Sequence, residues 1–201
     1  EYQIMSIPNV KMFYQGKVIG EFMGAYPRPA IERWLNEFLP DERKDSLANI
    51  LSHINGKADE VTLQKLEQFI HANPDVKEAK LAFAKQIVFG QPDWALELVE
   101  NIHLGDPLYE EAEDVRTLAQ WMQMEVNDSD APAAKALDQA RTAARNQQSE
   151  IAIRQIIEAT TLDKHLQNDL PRRVAIALFR RWGHQHPLTQ NYRWRFDMAL
   201  Y

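Results

Sequence analysis

Two segments far apart in the chain carry the same spacing. In DWALELVENIHLGDP, Ala95, Val99, Ile102 and Pro107 stand at offsets 0, 4, 7 and 12, and in EIAIRQIIEATTLDK, Ala152, Ile156 and Ala159 repeat the first three. Offsets of 4 and 7 lay side chains along one stripe of an α-helix. A small residue at the first position lets a second helix approach closely. Upstream, Ala79 and Phe83 precede the first copy, and Ala136, Ala140 and Ala143 precede the second. The pattern predicts helical hairpins stacked side by side, with the larger residues filling the seam between hairpins. The interval from Ala95 to Ala152 is more chain than one hairpin uses, so an extra helix must intervene.

Turn signals divide this helical part. Asn55-Gly56, Asn73-Pro74, Gly90-Gln91-Pro92, Gly105-Asp106-Pro107 and Gly183 to Pro187 each interrupt the helical pattern. They predict helices over about 41–54, 59–72, 76–89, 92–104, 107–126, 168–182 and 188–200. A further helix follows the polar loop NDSDAP (127–132), with Ser129 or Asp130 as its cap and Pro132 in its first turn.

The N-terminal part reads differently. In SIPNVKMFYQGKVIGEF (6–22) an apolar, β-branched run turns at Gln15-Gly16-Lys17 into a second one, the pattern of a β-hairpin. PRPAIERWLNEFLP (27–40) then reads as a short amphipathic helix carrying Ile31, Trp34, Leu35 and Phe38, with Pro29 in its first turn and Pro40 stopping it. A boundary therefore falls near residue 40, between a strand–strand–helix segment (1–40) and a helix-only segment (41–201).

Composition narrows the chemistry. The 201 residues are 45% hydrophobic and 26% charged, which suits a soluble globular protein, and no apolar run approaches the roughly 18 residues of a membrane span. No signal peptide is read at the N-terminus, and the missing initiator Met suggests a fragment. There are no cysteines, so disulfides, thiolate metal sites and thiol chemistry are excluded for these residues, and a reducing compartment is expected. The net charge of −6 argues against nucleic acid as a partner. Its distribution is uneven: residues 89–130 hold eleven acidic side chains and one base, Arg116, whereas residues 167–201 hold six arginines and two aspartates. Such asymmetry describes either two solvated faces or two complementary ones.

No catalytic constellation stands out. His184-x-His186 would place two imidazoles together, but no carboxylate neighbours them and a zinc site takes three or four ligands, so they read as turn histidines. The acidic run YEEAED (109–114) lacks the alternating ligands and central Gly of a calcium loop and reads as a solvated helix face. Neither metal nor cofactor is expected. Arg172, Arg173, Arg180 and Arg181 interleave with Val174, Ile176, Leu178, Phe179 and Trp182. They mark either a basic outer face, paired with the acidic middle segment, or a docking site for an anionic partner. On the last helix Leu188, Tyr192, Phe196, Ala199 and Leu200 share one side, while Trp194, Met198 and Tyr201 lie off that stripe. The stripe caps the last hairpin; the second side suits a partner groove.

Three family resemblances are carried by particular stretches. The offsets 0, 4, 7 and 12 resemble the second helix of a tetratricopeptide repeat, although that repeat has a shorter period than the interval between Ala95 and Ala152. Residues 2–40 resemble the second half of a thioredoxin domain: Ile7-Pro8-Asn9, then the strand Val10–Tyr14, Gly16-Lys17, the strand Val18–Phe22, Gly24 and a closing helix. They depart from it at Asn9, where Thr is commoner, and in lacking the first half with its Cys-x-x-Cys helix. The ending HPLTQNYRWRFDMALY and the stretch NPDVKEAKLAFAKQIVFGQPDWALELVENI resemble the helical region of the thioredoxin-like co-chaperones called chaperedoxins. That resemblance implies a mainly α fold, a tetratricopeptide-like array preceded by a partial thioredoxin fold. It implies a cytoplasmic protein that binds unfolded or oxidised clients and passes them to folding chaperones, including a cage-type chaperonin. It also implies a client-adjacent cis-proline segment at Ile7, Pro8 and Asn9, and a partner-binding C-terminal helix using Tyr192, Arg193, Trp194, Met198 and Tyr201.

Two other readings stay open: a thiol–disulfide oxidoreductase whose cysteine-bearing half is missing, and a plain repeat scaffold. The chain itself is expected not to be an enzyme. If the thioredoxin half is absent, the exposed sheet edge is expected to invite self-association.

Overall fold

Gln15 and Gly16 both adopt positive φ, 49° and 79°, the backbone of a two-residue hairpin turn. In a computed structural model of the chain, which describes residues 7–38, 41–126 and 131–201, they join β1 (Asn9–Tyr14) to β2 (Lys17–Met23). The strands pair antiparallel, with Asn9 opposite Met23 and Tyr14 opposite Lys17, and the register slips between Met12 and Phe13. No third strand joins this sheet among the described residues. Helix α1 (Arg28–Phe38) follows. Its Trp34 meets Phe22 edge-on with ring centroids 4.8 Å apart, and Phe38 lies 5.4 Å from Trp34. Gly20 makes this approach possible, because a Cβ there would stand 3.0 Å from both Phe38 Cγ and Trp34 Cζ2. The chain divides into two compact units, Glu1–Ser46 and Leu47–Tyr201. In the first, Phe22 is the buried hydrophobic side chain among the described residues and α1 buries none.

The expected helix order holds in the rest of the chain: α2 (Glu42–Ser52), α3 (Glu60–Ala72), α4 (Lys77–Ile87), α5 (Pro92–Val99), α6 (Tyr109–Gln123), α7 (Pro132–Arg145), α8 (Ser149–Leu162), α9 (Leu166–Trp182) and α10 (Pro187–Ala199). Every offset residue named above that belongs to a helix seam is buried: Ala79, Phe83, Ala95, Val99, Ile102, Ala136, Ala140, Ala143, Ala152, Ile156 and Ala159. Helices α4 and α5 pack together, as do α7 and α8. The intervening helices are α6 and α9, which also pack on each other. Pro92 and Ser149 open corresponding helices, α5 and α8, and keep the interval that separates Ala95 from Ala152. The period is thus a three-helix unit met twice, closed by α10 against α8 and α9. One hydrophobic core runs from Leu66 through Trp121 and Leu137 to Phe196.

Some boundaries differ from expectation. Helix α5 stops at Val99, well short of 104, because the Arg116 guanidinium donates to Val99 O at 2.6 Å and to Ile102 O at 2.7 Å, closing the helix end from outside. Ile102 keeps its buried place without being helical. In α9, Gln167, Asn168 and Asp169 have positive φ, so regular helix starts at Leu170 and Pro171 sits in its first turn. The N-cap of α7 is Ala131, with Pro132 first in the helix; Ser129 and Asp130, like Pro40, lie outside the described residues. Among the described residues no helix is long and apolar enough to cross a membrane.

Candidate functional site

The two sides of α10 have separate fates. Pro187 opens the helix, and the His186 Nδ1 accepts from the Leu188 N–H at 3.2 Å, capping it. Thr189, Tyr192 and Phe196 are buried, with Leu188 and Leu200 packed beside them. The Tyr192 hydroxyl donates to Glu150 at 2.6 Å, which raises the phenol's pKa because the bond holds its proton. Trp194, Met198 and Tyr201 are 60%, 70% and fully exposed. Arg195 lies 5.5 Å from the Trp194 ring and 5.3 Å from the Tyr192 ring, a cation flanking two aromatic faces.

Of the five residues expected to bind a partner, then, Tyr192 lies on the packed side of the helix. Arg193 is exposed, its guanidinium 5.4 Å from the Phe179 ring and its Nε donating to Asp197. Trp194, Met198 and Tyr201 present an apolar side to solvent. In the first unit, Ile7 is exposed, the Ile7–Pro8 bond is cis, and Pro8 O accepts from the Gly24 N–H at 2.8 Å.

The histidine pair separates. His184 is exposed, whereas His186 is half-buried and stacks on Trp182 with centroids 5.6 Å apart, so only one of the two is a solvated turn residue. Among the described residues no three metal-ligating side chains converge.

The acidic run is not simply a solvated face either. Glu111 pairs with Lys85, Glu113 with Arg116, and both Glu110 and Asp114 with Arg180 at 3.2 Å. The basic end of the chain therefore does meet the acidic middle. Burial raises the Asp114 pKa, opposed by its attraction to Arg180.

Arg181 behaves differently from its neighbour. It turns inward, donating to Lys85 O at 2.5 Å with its guanidinium 5.4 Å from the Phe89 ring. Arg145 likewise donates to a carbonyl, Met122 O, at 2.9 Å. Both line a groove of about 730 Å³ between the α4–α5 turn, the α7–α8 turn, the end of α9 and the loop before α3. A second cavity of about 450 Å³ adjoins it, sharing Gly56, Gln86 and Arg181. Sequence reasoning missed this groove, because residues from four separate segments form it.

A tetratricopeptide-repeat family model matches residues 109–201, from α6 through α10. No curated protein shows a significant match to the chain. With the paired hairpins and their period, the match supports a tetratricopeptide-like helical array, of which it covers residues 109–201; such an architecture commonly mediates protein–protein interaction.

Proposed function

We propose that this chain is a protein-binding co-chaperone or holdase of the thioredoxin-like family. On this reading it binds unfolded or oxidised clients, or a cage-type chaperonin, in the cytoplasm. It acts by binding rather than by thiol exchange, which needs a thiolate that a cysteine-free sequence does not supply. The observation that carries the reading is the outward side of α10, where Trp194, Met198 and Tyr201 stand exposed while the opposite side is spent on packing. A terminal cap needs one apolar stripe; this helix has two. The strand–turn–strand–helix order of the first unit supports the thioredoxin-like part of the reading.

An amphipathic helix binds by laying a stripe into a groove, and buried aromatic anchors in such contacts each contribute about 2 kcal/mol or more. Replacing both Trp194 and Tyr201 with Ala should leave the melting temperature nearly unchanged, since surface changes of this kind stay within about 0.5 kcal/mol. The same double variant should bind a purified cage-type chaperonin, or a chemically unfolded model client, at least tenfold more weakly in equilibrium titrations. Unchanged affinity for both would remove α10 from the interface.

A further inference from the structure

We propose that the groove between the α4–α5 and α7–α8 turns is a binding site for an acidic, extended peptide segment, separate from the outward side of α10. The first argument is charge. Lys57, Arg145 and Arg181 line the larger cavity and no carboxylate does. Elsewhere in this unit Arg116, Arg141 and Arg180 each have an acidic partner. The bonds from Arg145 and Arg181 described above go to carbonyl oxygens, one nitrogen each, whereas a guanidinium has five N–H donors. Arg145 stays exposed at the rim, but Arg181 is half-buried; drawing a cation partly out of water without a counter-charge is unfavourable, and burial does disfavour the charged form of Arg181. An anion in the groove supplies the missing partner.

The second argument concerns shape and walls. A volume of about 730 Å³ lies in the range of built ligand sites, roughly 300–1,000 Å³. Phe89 and the Trp182–His186 stack form part of its lining. The ligand therefore carries apolar side chains as well as acids.

The third argument concerns backbone. Gln86 pins the bend at Gly56, whose φ is +78°, on the wall of this groove: its Oε1 accepts from the Ala58 N–H at 3.1 Å, and its Nε2 donates to Gly56 O at 3.4 Å. The adjoining cavity extends the site past the length of a single small anion. In that cavity Glu110, Glu111 and Asp114 face Lys85 and Arg180, so the excess of positive charge is confined to the larger one. That polarity sets which end of a segment carries its acids.

The test uses the full chain and a fluorescein-labelled, end-blocked peptide of six Glu and two Phe, with a Gln-for-Glu counterpart, read by fluorescence anisotropy. The acidic peptide should bind at least tenfold more tightly than the neutral one and weaken as salt is raised. Lys57→Glu, at an exposed loop position, should weaken it at least fivefold with no change in melting temperature, and Arg145→Gln should weaken it as well. The Trp194→Ala, Tyr201→Ala double variant should bind it as wild type does, which separates this site from the α10 reading. Absence of binding would overturn the proposal. So would equal affinity for the neutral peptide, indifference to Lys57→Glu, or loss of binding in the α10 variant. Complete displacement of the peptide by inorganic phosphate at equal concentration would reassign the groove to a small anion and overturn it too.

Discussion

Asp59 accepts a hydrogen bond from the Thr62 N–H at 2.7 Å and so caps α3, satisfying one of the amides that a helix start leaves open. Its bonds to Thr62 hold its carboxyl below the usual aspartate range. A carboxyl whose folded pKa is depressed contributes stability that is present above its unfolded value and is lost as the pH falls through the folded one. Asp59→Ala should therefore lower the melting temperature at neutral pH, and the gap from wild type should narrow once the pH drops below about 4. Thermal melts by circular dichroism across that range check both statements, and a gap that widened in acid would reverse the sign. Caps of this kind are legible in a sequence because donor and acceptor lie within one helical turn. The long-range arginine caps are not. Arg116 closes α5, Arg141 and Arg145 reach carbonyls at the end of α6, and Arg181 reaches the last turn of α4 from far along the chain. Read in isolation, a pair such as Arg180-Arg181 gives no sign that one arginine faces carboxylates and the other faces inward.

At the scale of elements, the hairpin depends on side chains that local patterns do specify. Its turn is read from Gln15-Gly16 and its helix from the spacing of Ile31, Trp34, Leu35 and Phe38. The absence of a side chain at Gly20 had no such signal, since its reason is the two rings that α1 lays over it. Gly20→Val should force Trp34 and Phe38 outward, at the cost of about 1–3 kcal/mol usual for overpacking. With so little else buried in the first unit, that is enough to loosen it. Hydrogen exchange should then speed up through residues 9–23 and 28–38. Exchange there as slow as in wild type would mean that the α1 contact does not hold the hairpin. Helix ends were less legible than helix order. Proline and glycine mark where a helix must stop, but α5 stops earlier, under the influence of Arg116 on the following helix.

The long period linking Ala95 to Ala152 was visible at the scale of the whole chain, and its small residues at the close-approach positions are buried in both copies. What a period cannot show is how its two copies face one another, since that depends on contacts between residues of unrelated spacing. Trp121 is such a contact. It stands on α6, the third helix of the first copy, and is fully buried. Its Nε1–H donates across to Leu137 O on α7, the first helix of the second, at 3.0 Å. Helix α6 also packs on α9, so a ring at this point meets both copies of the period. Removing a buried Trp side chain costs about 3–5 kcal/mol through lost burial and the cavity left behind, a large share of the roughly 5–15 kcal/mol that stabilises a typical domain. If one core serves both copies, Trp121→Ala should lower a single unfolding transition. Amides of α4–α5 and α7–α8 should then lose protection together. Trp121→Phe, which keeps a ring and gives up the bond to Leu137, should shift that transition by less. Calorimetry resolving two transitions, with protection lost only in α4–α6, would mean that the copies fold separately and that Trp121 serves the first alone.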